Sequence, residues 1–417
     1  MKIEKQSMYY EKMSIEKRLS MDKEIKKNKA RRLVIWICLG IFIGISLLNI
    51  VSASFYSATY SYRGGSSFQF LIKHFIWFVV AIIAFVITNK IPYTFYKKKS
   101  IIRFFLCIST FLLLVVLIGA KIAPKFVPVI NGAIGWIRLG PFSVQPAEFL
   151  KIPYIVILAK LFENGEKKDF KDLEIILNTS PIFFLFVFLI IMQGDLGTVI
   201  HYTSILFFML FLSKISKKII AGFIGIASTT LISGLSYVHY FINDTQGVGY
   251  RVKRVKSYLD GLLKGEYGDD VGYQVGQSLI AMGSGGIFGK GYANGVQKYS
   301  YLPEIHTDFI LASLGEEWGF AGVLLIVILF YTIFSLSMTI AAESRDYFAK
   351  YLVAGMASLI FTQLLINSFV VTGLMPVTGI PFPIFSYGGS SLITVFAALG
   401  IVLNVNKKNL IEKYGAY

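Results

Sequence analysis

Apolar residues along this chain gather in long runs separated by shorter polar breaks. Ten such runs stand out, at 33–50, 70–88, 102–120, 149–162, 181–192, 196–212, 219–241, 309–340, 351–372 and 384–405. A helix needs about 20 apolar residues to cross a bilayer, so several runs suffice alone and the shorter ones need their flanks. The pattern predicts an all-α integral membrane protein of about ten transmembrane helices. One polytopic domain over 33–405 is expected, between a basic tail at 1–32 and a second tail at 406–417. After the first run comes Val51-Ser52-Ala53, which has the small residues of a signal-peptidase site. That run is longer than a signal h-region and many spans follow, so it reads as an anchor.

Charge orients the spans. Lys97, Lys98, Lys99 and Arg103 follow the second run, Lys167, Lys168 and Lys171 the fourth, and Lys214, Lys217 and Lys218 the sixth. Arg345 and Lys350 follow the eighth, and Lys407, Lys408 and Lys413 the tenth. All lie on the side of the basic N-terminus, so the positive-inside rule puts both ends in the cytoplasm. The SIEKRLSMDKEIKK stretch of the first tail could form a basic surface helix. The simpler reading is a disordered tail that only fixes orientation.

Composition agrees with the pattern. Of 417 residues, 55% are apolar and 16% charged, and the mean hydropathy is +0.64. The net charge of +17 sits mainly in short loops and tails. It therefore reports orientation, and no nucleic-acid partner is expected. Cys38 and Cys107 lie inside apolar runs, where thiols pack as small hydrophobes. His74, His201, His239 and His306 have no ligand spacing, so no metal held by side chains alone is expected.

One connection is too long to be a mere connector: the extracytoplasmic loop 242–307 between spans seven and eight, about 65 residues. It carries Arg251, Lys253, Arg254 and Lys256, then Asp269 and Asp270, then a glycine-rich stretch, then LPEIHTD. Asp308 closes that motif where loop becomes membrane helix. Position alone leaves two readings: a functional ionisable group at the water–lipid boundary, or a carboxylate at the positive end of a helix dipole. The basic residues could present a rim to an anionic group such as pyrophosphate, or attract lipid head groups. Gln274 and Gln277 share a helical face ahead of Leu279-Ile280-Ala281-Met282, which suggests an amphipathic interfacial segment.

The stretch from Gly283 to Gly291 lacks the spacing of a P-loop, and its glycines are expected to fold backbone closely against the bilayer surface or a head group. Glu148 and Lys151 stand three apart on a helix opening with Pro146 and can pair, either to stabilise a buried helix or as a charged contact reaching the long loop. Arg138 belongs to the same outer rim. Gln193-Gly194-Asp195 reads as a tight structural hairpin. Glu316 and Glu317 lie about 12–14 Å beyond Asp308 along a helix and on other faces, so partners such as Lys151 are expected to neutralise them. The broken stretch from Gly373 to Ser391, which includes Ser386 and Ser390, should line a cavity beside the long loop.

NGAIGWIRLGPFSVQPAEFLK, QGDLGT, YQVGQSLIAMGSGGIFGKG, LPEIHTDFI with GEEWG, and GLMPVTGIPFPIFSYGGSS together resemble the SEDS family of RodA, FtsW and SpoVE proteins. The likeness runs from about residue 33 to 405 in the right order. GKG and GIPFP lean towards RodA, while Gln297 to Glu304 is similar to FtsW and SpoVE. Two departures, Ile134-Gly135 before Trp136 and Gly194 where a proline is frequent, touch local contacts only.

The resemblance implies ten spans and a peptidoglycan glycosyltransferase that polymerises lipid II outside the membrane. It implies work beside a class B penicillin-binding protein, within elongasome or divisome assemblies, on a nascent glycan strand. Asp308 of the HTD motif is then the catalytic general base. Arg138, Glu148, Lys151, Arg251, Arg254, Gln274, Gln277, His306, Ser386 and Ser390 are the expected substrate contacts. No cofactor is called for, although a divalent cation could share the leaving-group charge. A lipid II flippase and a non-catalytic scaffold for the transpeptidase are the rival readings.

Overall fold

The computed structural model describes residues 15–56, 67–130, 132–140, 142–242, 250–265, 267 and 271–414. Asp269, Asp270 and residues 1–14 of the first tail lie outside these described residues. In chain order the elements are α1 (Ile15–Tyr56), α2 (Ser67–Lys90), α3 (Tyr93–Tyr96), α4 (Lys99–Ile122), four short strands, and α5 (Pro146–Phe149). There follow α6 (Lys151–Lys167), α7 (Asp172–Met192), α8 (Leu196–Phe211), α9 (Lys217–Phe241), α10 (Tyr250–Lys264), α11 (Val271–Ser284), α12 (Ile310–Glu343), α13 (Tyr347–Val371) and α14 (Gly389–Tyr414). Each predicted run corresponds to one helix. Among the described residues eight helices are long and apolar enough to cross a membrane, while α6 and α8 are shorter, at 17 and 16 residues. The strands pair as two antiparallel hairpins, β1 (Val129–Ile130) with β2 (Ala133–Ile134) and β3 (Ile137–Leu139) with β4 (Phe142–Val144).

Helix α13 forms the centre. It packs against α12 on one side and against α6 and α8 on the other, while α14 lies along α2. Phe162 stacks on Tyr351, and Phe334 on Phe361, between these helices. The long loop is largely structured. Its α10 and α11 pack together, and α11 docks on α12 and α13, where the Ser278 hydroxyl donates to the Val371 carbonyl at 2.8 Å.

The structure corrects the sequence reading of the helices in three places. Residues from Ile15 onward are not a disordered tail: they continue the first span as one helix of 42 residues, about 60 Å long. Arg31 and Lys27 anchor it through ion pairs to Glu343, at 2.6 and 2.7 Å. The last span starts at Gly389 and not at residue 384, because Ile384 has a left-handed φ of 70° that a helix cannot contain.

The third correction concerns α12, which is broken at Gly319 (φ 69°, ψ −171°). The glycine loop stitches the break. Lys290 and Gly291 amides donate to the carbonyls of Glu316 and Glu317, both at 3.0 Å. On the far side, Phe320 and Ala321 amides donate to the carbonyls of Gly286 and Ile287, at 2.9 and 3.0 Å. Backbone groups stranded in a membrane protein must be satisfied internally, and here one loop does it. Gly285 and Gly289 therefore serve close approach to protein, not to the bilayer: a β-carbon at Gly289 would collide with the Glu317 carbonyl.

Candidate active site

Asp308 is partly exposed, immediately before Phe309, the N-cap of α12. The turn carrying it closes on Glu304 (φ 53°), whose carbonyl accepts from the amides of Thr307 and Phe309, at 3.1 and 3.2 Å. Leu302, Ile305 and Phe309 are buried and root the turn in the core. Three consecutive carbonyls are then gripped from outside. The Tyr387 amide donates to His306 at 2.9 Å, the Ser386 hydroxyl to Thr307 at 2.6 Å, and the Asn367 amide nitrogen to Asp308 at 2.7 Å. The backbone of HTD is thereby fixed while the carboxylate projects beside Gly379 (φ 75°). A β-carbon on Gly379 would stand 4.0 Å from an Asp308 carboxylate oxygen.

The segment 372–388 is non-helical, and where a lined cavity is expected from the sequence its carbonyls are met by protein side chains. Asn367 also donates to the Ile380 carbonyl at 2.8 Å, Gln363 to Pro381 at 2.8 Å, and Ser46 to Ile384 at 3.1 Å. Gly197 lets the start of α8 approach this segment, since a β-carbon there would strike the Thr378 carbonyl. From here a chain of bonds reaches the other motifs. Gln363 donates to Ser391 at 2.7 Å, the Ser390 hydroxyl accepts from the Gln145 amide at 2.9 Å, and the Gln145 side chain donates to Asp195 at 2.7 Å. Asp195 caps α8 by accepting from Thr198.

Each expected contact residue can now be placed. Lys151 is fully buried and its ammonium donates to Glu148 at 2.5 Å. That distance fits a pair supporting a buried helix start, and the second Glu148 oxygen has no partner among the described residues. Ser386 and Ser390 are buried with their hydroxyls engaged as above, so they hold the loop in place. Arg138 is exposed on β3, its amide bonded to the Phe126 carbonyl at 2.8 Å. Arg251 and Arg254 lie on α10. Gln274 and Gln277 are half-buried on α11, and Gln277 lines a groove of about 360 Å³ with Tyr267 and Tyr273.

His306 packs edge-on against Phe70 and near Tyr387. Burial pushes its imidazole below the ordinary value, against the opposing pull of the Glu304 carboxylate.

Glu316 and Glu317 are not neutralised by Lys151. Glu316 accepts from the Lys290 ammonium at 2.6 Å and from the amides of Val296 and Gln297 at 2.9 and 3.1 Å. Glu317 accepts from Lys298 at 2.9 Å, from the Ser52 hydroxyl at 2.5 Å and from the Ala293 amide at 3.1 Å. Two buried carboxylates thus bind the loop onto the half-helix that follows Asp308. Asn367 and Gln363 were also missed. Their signal was available: two amides inside an apolar helix are costly unless they bond to something.

Among the described residues no group of three or more His, Cys, Asp or Glu side chains could hold a metal. A divalent ion here would need substrate phosphates as co-ligands.

Comparison with known proteins follows the same outline. A family profile described as a cell cycle protein family, that of FtsW, RodA and SpoVE, matches residues 32–410. Stage V sporulation protein E of Bacillus subtilis is 34% identical over 386 residues, spanning 92% of this chain and 98% of that protein. The probable peptidoglycan glycosyltransferase FtsW of Haemophilus influenzae is 32% identical, spanning 90% and 91%. In fold, the chain matches the rod shape determining protein RodA of Thermus thermophilus with a TM-score of 0.61 at 22% identity, over 90% of this chain and 96% of that one. It matches a chain of a peptidoglycan synthase complex, described as coordinating polymerization and crosslinking, with a TM-score of 0.68 at 23% identity, over 90% and 98%. The chain belongs to the FtsW/RodA/SpoVE family.

Proposed function

We propose that this multi-pass membrane enzyme is a peptidoglycan glycosyltransferase that polymerises lipid II at the outer face of the cytoplasmic membrane. The observation that carries the reading is Asp308: a partly exposed carboxylate on a backbone gripped at three successive carbonyls, in a chain whose relatives bear that enzymatic name. Rigid support of this kind is what a general base requires. Asp308 takes the proton of the acceptor sugar's 4-hydroxyl, and the oxygen attacks the anomeric carbon of the growing strand's lipid-linked end. The bond to undecaprenyl pyrophosphate breaks, with inversion. The positive end of α12 favours the ionised base. Arg138, Arg251 and Arg254 are the cations assigned to the departing pyrophosphate. Both termini are taken as cytoplasmic, and a class B penicillin-binding protein as the partner that cross-links the product.

The test is polymerisation of labelled lipid II by the purified protein, with and without its transpeptidase. Losing a general base costs about 10²–10⁴ in rate, so Asp308→Asn should give no visible polymer. Equal product from both proteins would remove Asp308 from the chemistry. A folded wild type that makes no polymer with its partner but moves lipid II across proteoliposomes would favour the flippase.

A further inference from the structure

The face of α11 turned away from the core carries a groove of about 360 Å³ that the chemistry at Asp308 leaves unused. Val275, Ser278 and Ala281 recur on one side of this helix and are buried where it docks on α12 and α13. Tyr273, Gln277 and Ile280 recur on the other side and line the groove with Gly276, Leu279 and Tyr267. Two glycines set Tyr267 in place. A β-carbon at Gly261 of α10 would stand 2.7 Å from its ring, and one at Gly276 would stand 2.9 Å from the Tyr267 β-carbon. The ring is thus wedged between two helices, yet 37% of the residue stays exposed, and Tyr273 is 38% exposed.

The lining has two chemical characters. Two aromatic rings, with the side chains of Leu279 and Ile280, offer apolar surface. The Gln277 amide both donates and accepts, and among the described residues neither it nor the Tyr273 hydroxyl has a protein hydrogen bond. A hydrocarbon chain laid there would strip water from these groups and return no hydrogen bond. A pyranose ring meets both characters, because its C–H faces lie on aromatic rings and its rim is polar. An acetamido substituent matches the Gln277 amide in particular, one donating where the other accepts.

Position relative to the base selects which sugars. Asn367 and Val371 lie one turn apart on α13, about 6 Å. Asn367 holds the Asp308 carbonyl, and Val371 holds Ser278 of α11. The groove opens on the opposite side of α11, a further helix width of about 10 Å. Its lining residue Leu279 also lies against Gly373, near the start of the segment that passes Asp308; a β-carbon on Gly373 would stand 3.5 Å from it. A reacting hydroxyl must come within about 3 Å of its base, so the groove is outside the reaction but within reach of units already joined. We infer that it binds the newly made strand, a 4-linked polymer of N-acetylated amino sugars, with Tyr267 and Tyr273 as stacking surfaces and Gln277 as the amide contact. This assignment rests on the glycosyltransferase reading above, which supplies the polymer. Holding the strand between additions keeps the product on the enzyme and lengthens it.

The test uses the full-length protein in detergent and reads binding by thermophoresis. The probes are a soluble hexamer of 4-linked N-acetylglucosamine, the glucose hexamer of the same linkage, and geranyl phosphate as a short prenyl chain. Saturable binding of the acetylated hexamer is expected, with weaker binding of the glucose hexamer. Losing one stacking contact or one hydrogen bond weakens binding about twofold to tenfold, so Tyr273→Ala and Gln277→Ala should raise the half-saturating concentration by that factor. Tyr273→Phe keeps the ring and should restore most of the loss. Tyr331→Ala, which removes an exposed tyrosine of α12, should change nothing. In lipid II polymerisation, Tyr273→Ala should give shorter strands than wild type at equal lipid II consumption. No saturable binding of the acetylated hexamer, or half-saturation unchanged in both Tyr273→Ala and Gln277→Ala, overturns the assignment. Binding of geranyl phosphate alone overturns it too and gives the groove to a lipid chain. A wild type that binds the hexamer through Tyr273 yet makes no polymer supports the glycan site and removes the polymerase reading; normal polymerisation with binding insensitive to both variants does the reverse.

Discussion

The most apolar stretch of α9 has a mean hydropathy of 1.8 and is 6% buried; that of α14 has 1.6 and is 94% buried. Both helices contain glycines and hydroxyl residues, so residue types do not explain the contrast. Partners do. Gly389 lies under Trp77, and Gly400 sits against Thr88 and the Phe85 carbonyl. Asn404 accepts from the Tyr93 amide at 2.9 Å and donates to the Asn89 carbonyl at 2.7 Å. In α9, Gly222, Gly225 and Gly234 face open space, and Thr230 bonds back to Ile226 of its own helix. Small residues allow helices to approach in a membrane but do not compel them to.

The contrast can be tested hardest with matched glycines. Gly400→Leu forces a side chain into backbone and should cost about 3 kcal/mol or abolish the folded protein. Gly225→Leu should stay within about 0.5 kcal/mol of wild type. Thermal midpoints of the two variants would decide, and equal losses would refute the assigned surroundings of α9. Next comes the polar pair. Asn404→Leu strands the Tyr93 amide and the Asn89 carbonyl, for a loss of about 2 kcal/mol, whereas Thr230→Val should be silent. A silent Asn404→Leu would mean that those bonds do not hold α14 to the end of α2 and the start of α3.

The smallest effect concerns the entry to α14, where Tyr387 bonds to His306. Burial lowers the folded-state affinity of His306 for a proton. The unfolded chain protonates first as pH falls through about 6.5, so stability should decline below that pH and level off at the lower folded value. His306→Gln should flatten this part of the midpoint-against-pH curve. An unchanged slope would assign the decline to other groups.

The same contrast marks what the sequence could reveal. Apolar runs located the helices because leaving water is a local property of each run. They could not say that α14 is enclosed and α9 is not, because enclosure depends on Trp77, Thr88 and Asn89, some three hundred residues away from α14 in the chain. Asp308 was legible as a candidate, because an ionisable group at a membrane boundary is costly wherever it points, while its position alone left the role open. The partners of Glu316 and Glu317 were not. Lys290 and Lys298 reach them through a loop whose path depends on positive φ at Gly286, Gly289 and Gly291, and glycine alone does not announce a path. The break at Gly319 was hidden for a related reason: GEEWG sits within an otherwise continuous helical run, and only the docked loop makes the interruption affordable.

That interruption has a mechanical consequence. The portion of α12 beyond Gly319 is the long apolar shaft, and the portion before it is fastened through Glu316 and Glu317 to the loop between α11 and α12. A membrane helix answers a thicker or thinner bilayer by tilting. With a joint at Gly319, the shaft would pivot while the short arm behind Asp308 stayed with the loop. The depth of the carboxylate would then be referenced to the loop docked on the short arm, insulated from the thickness of the lipid around it.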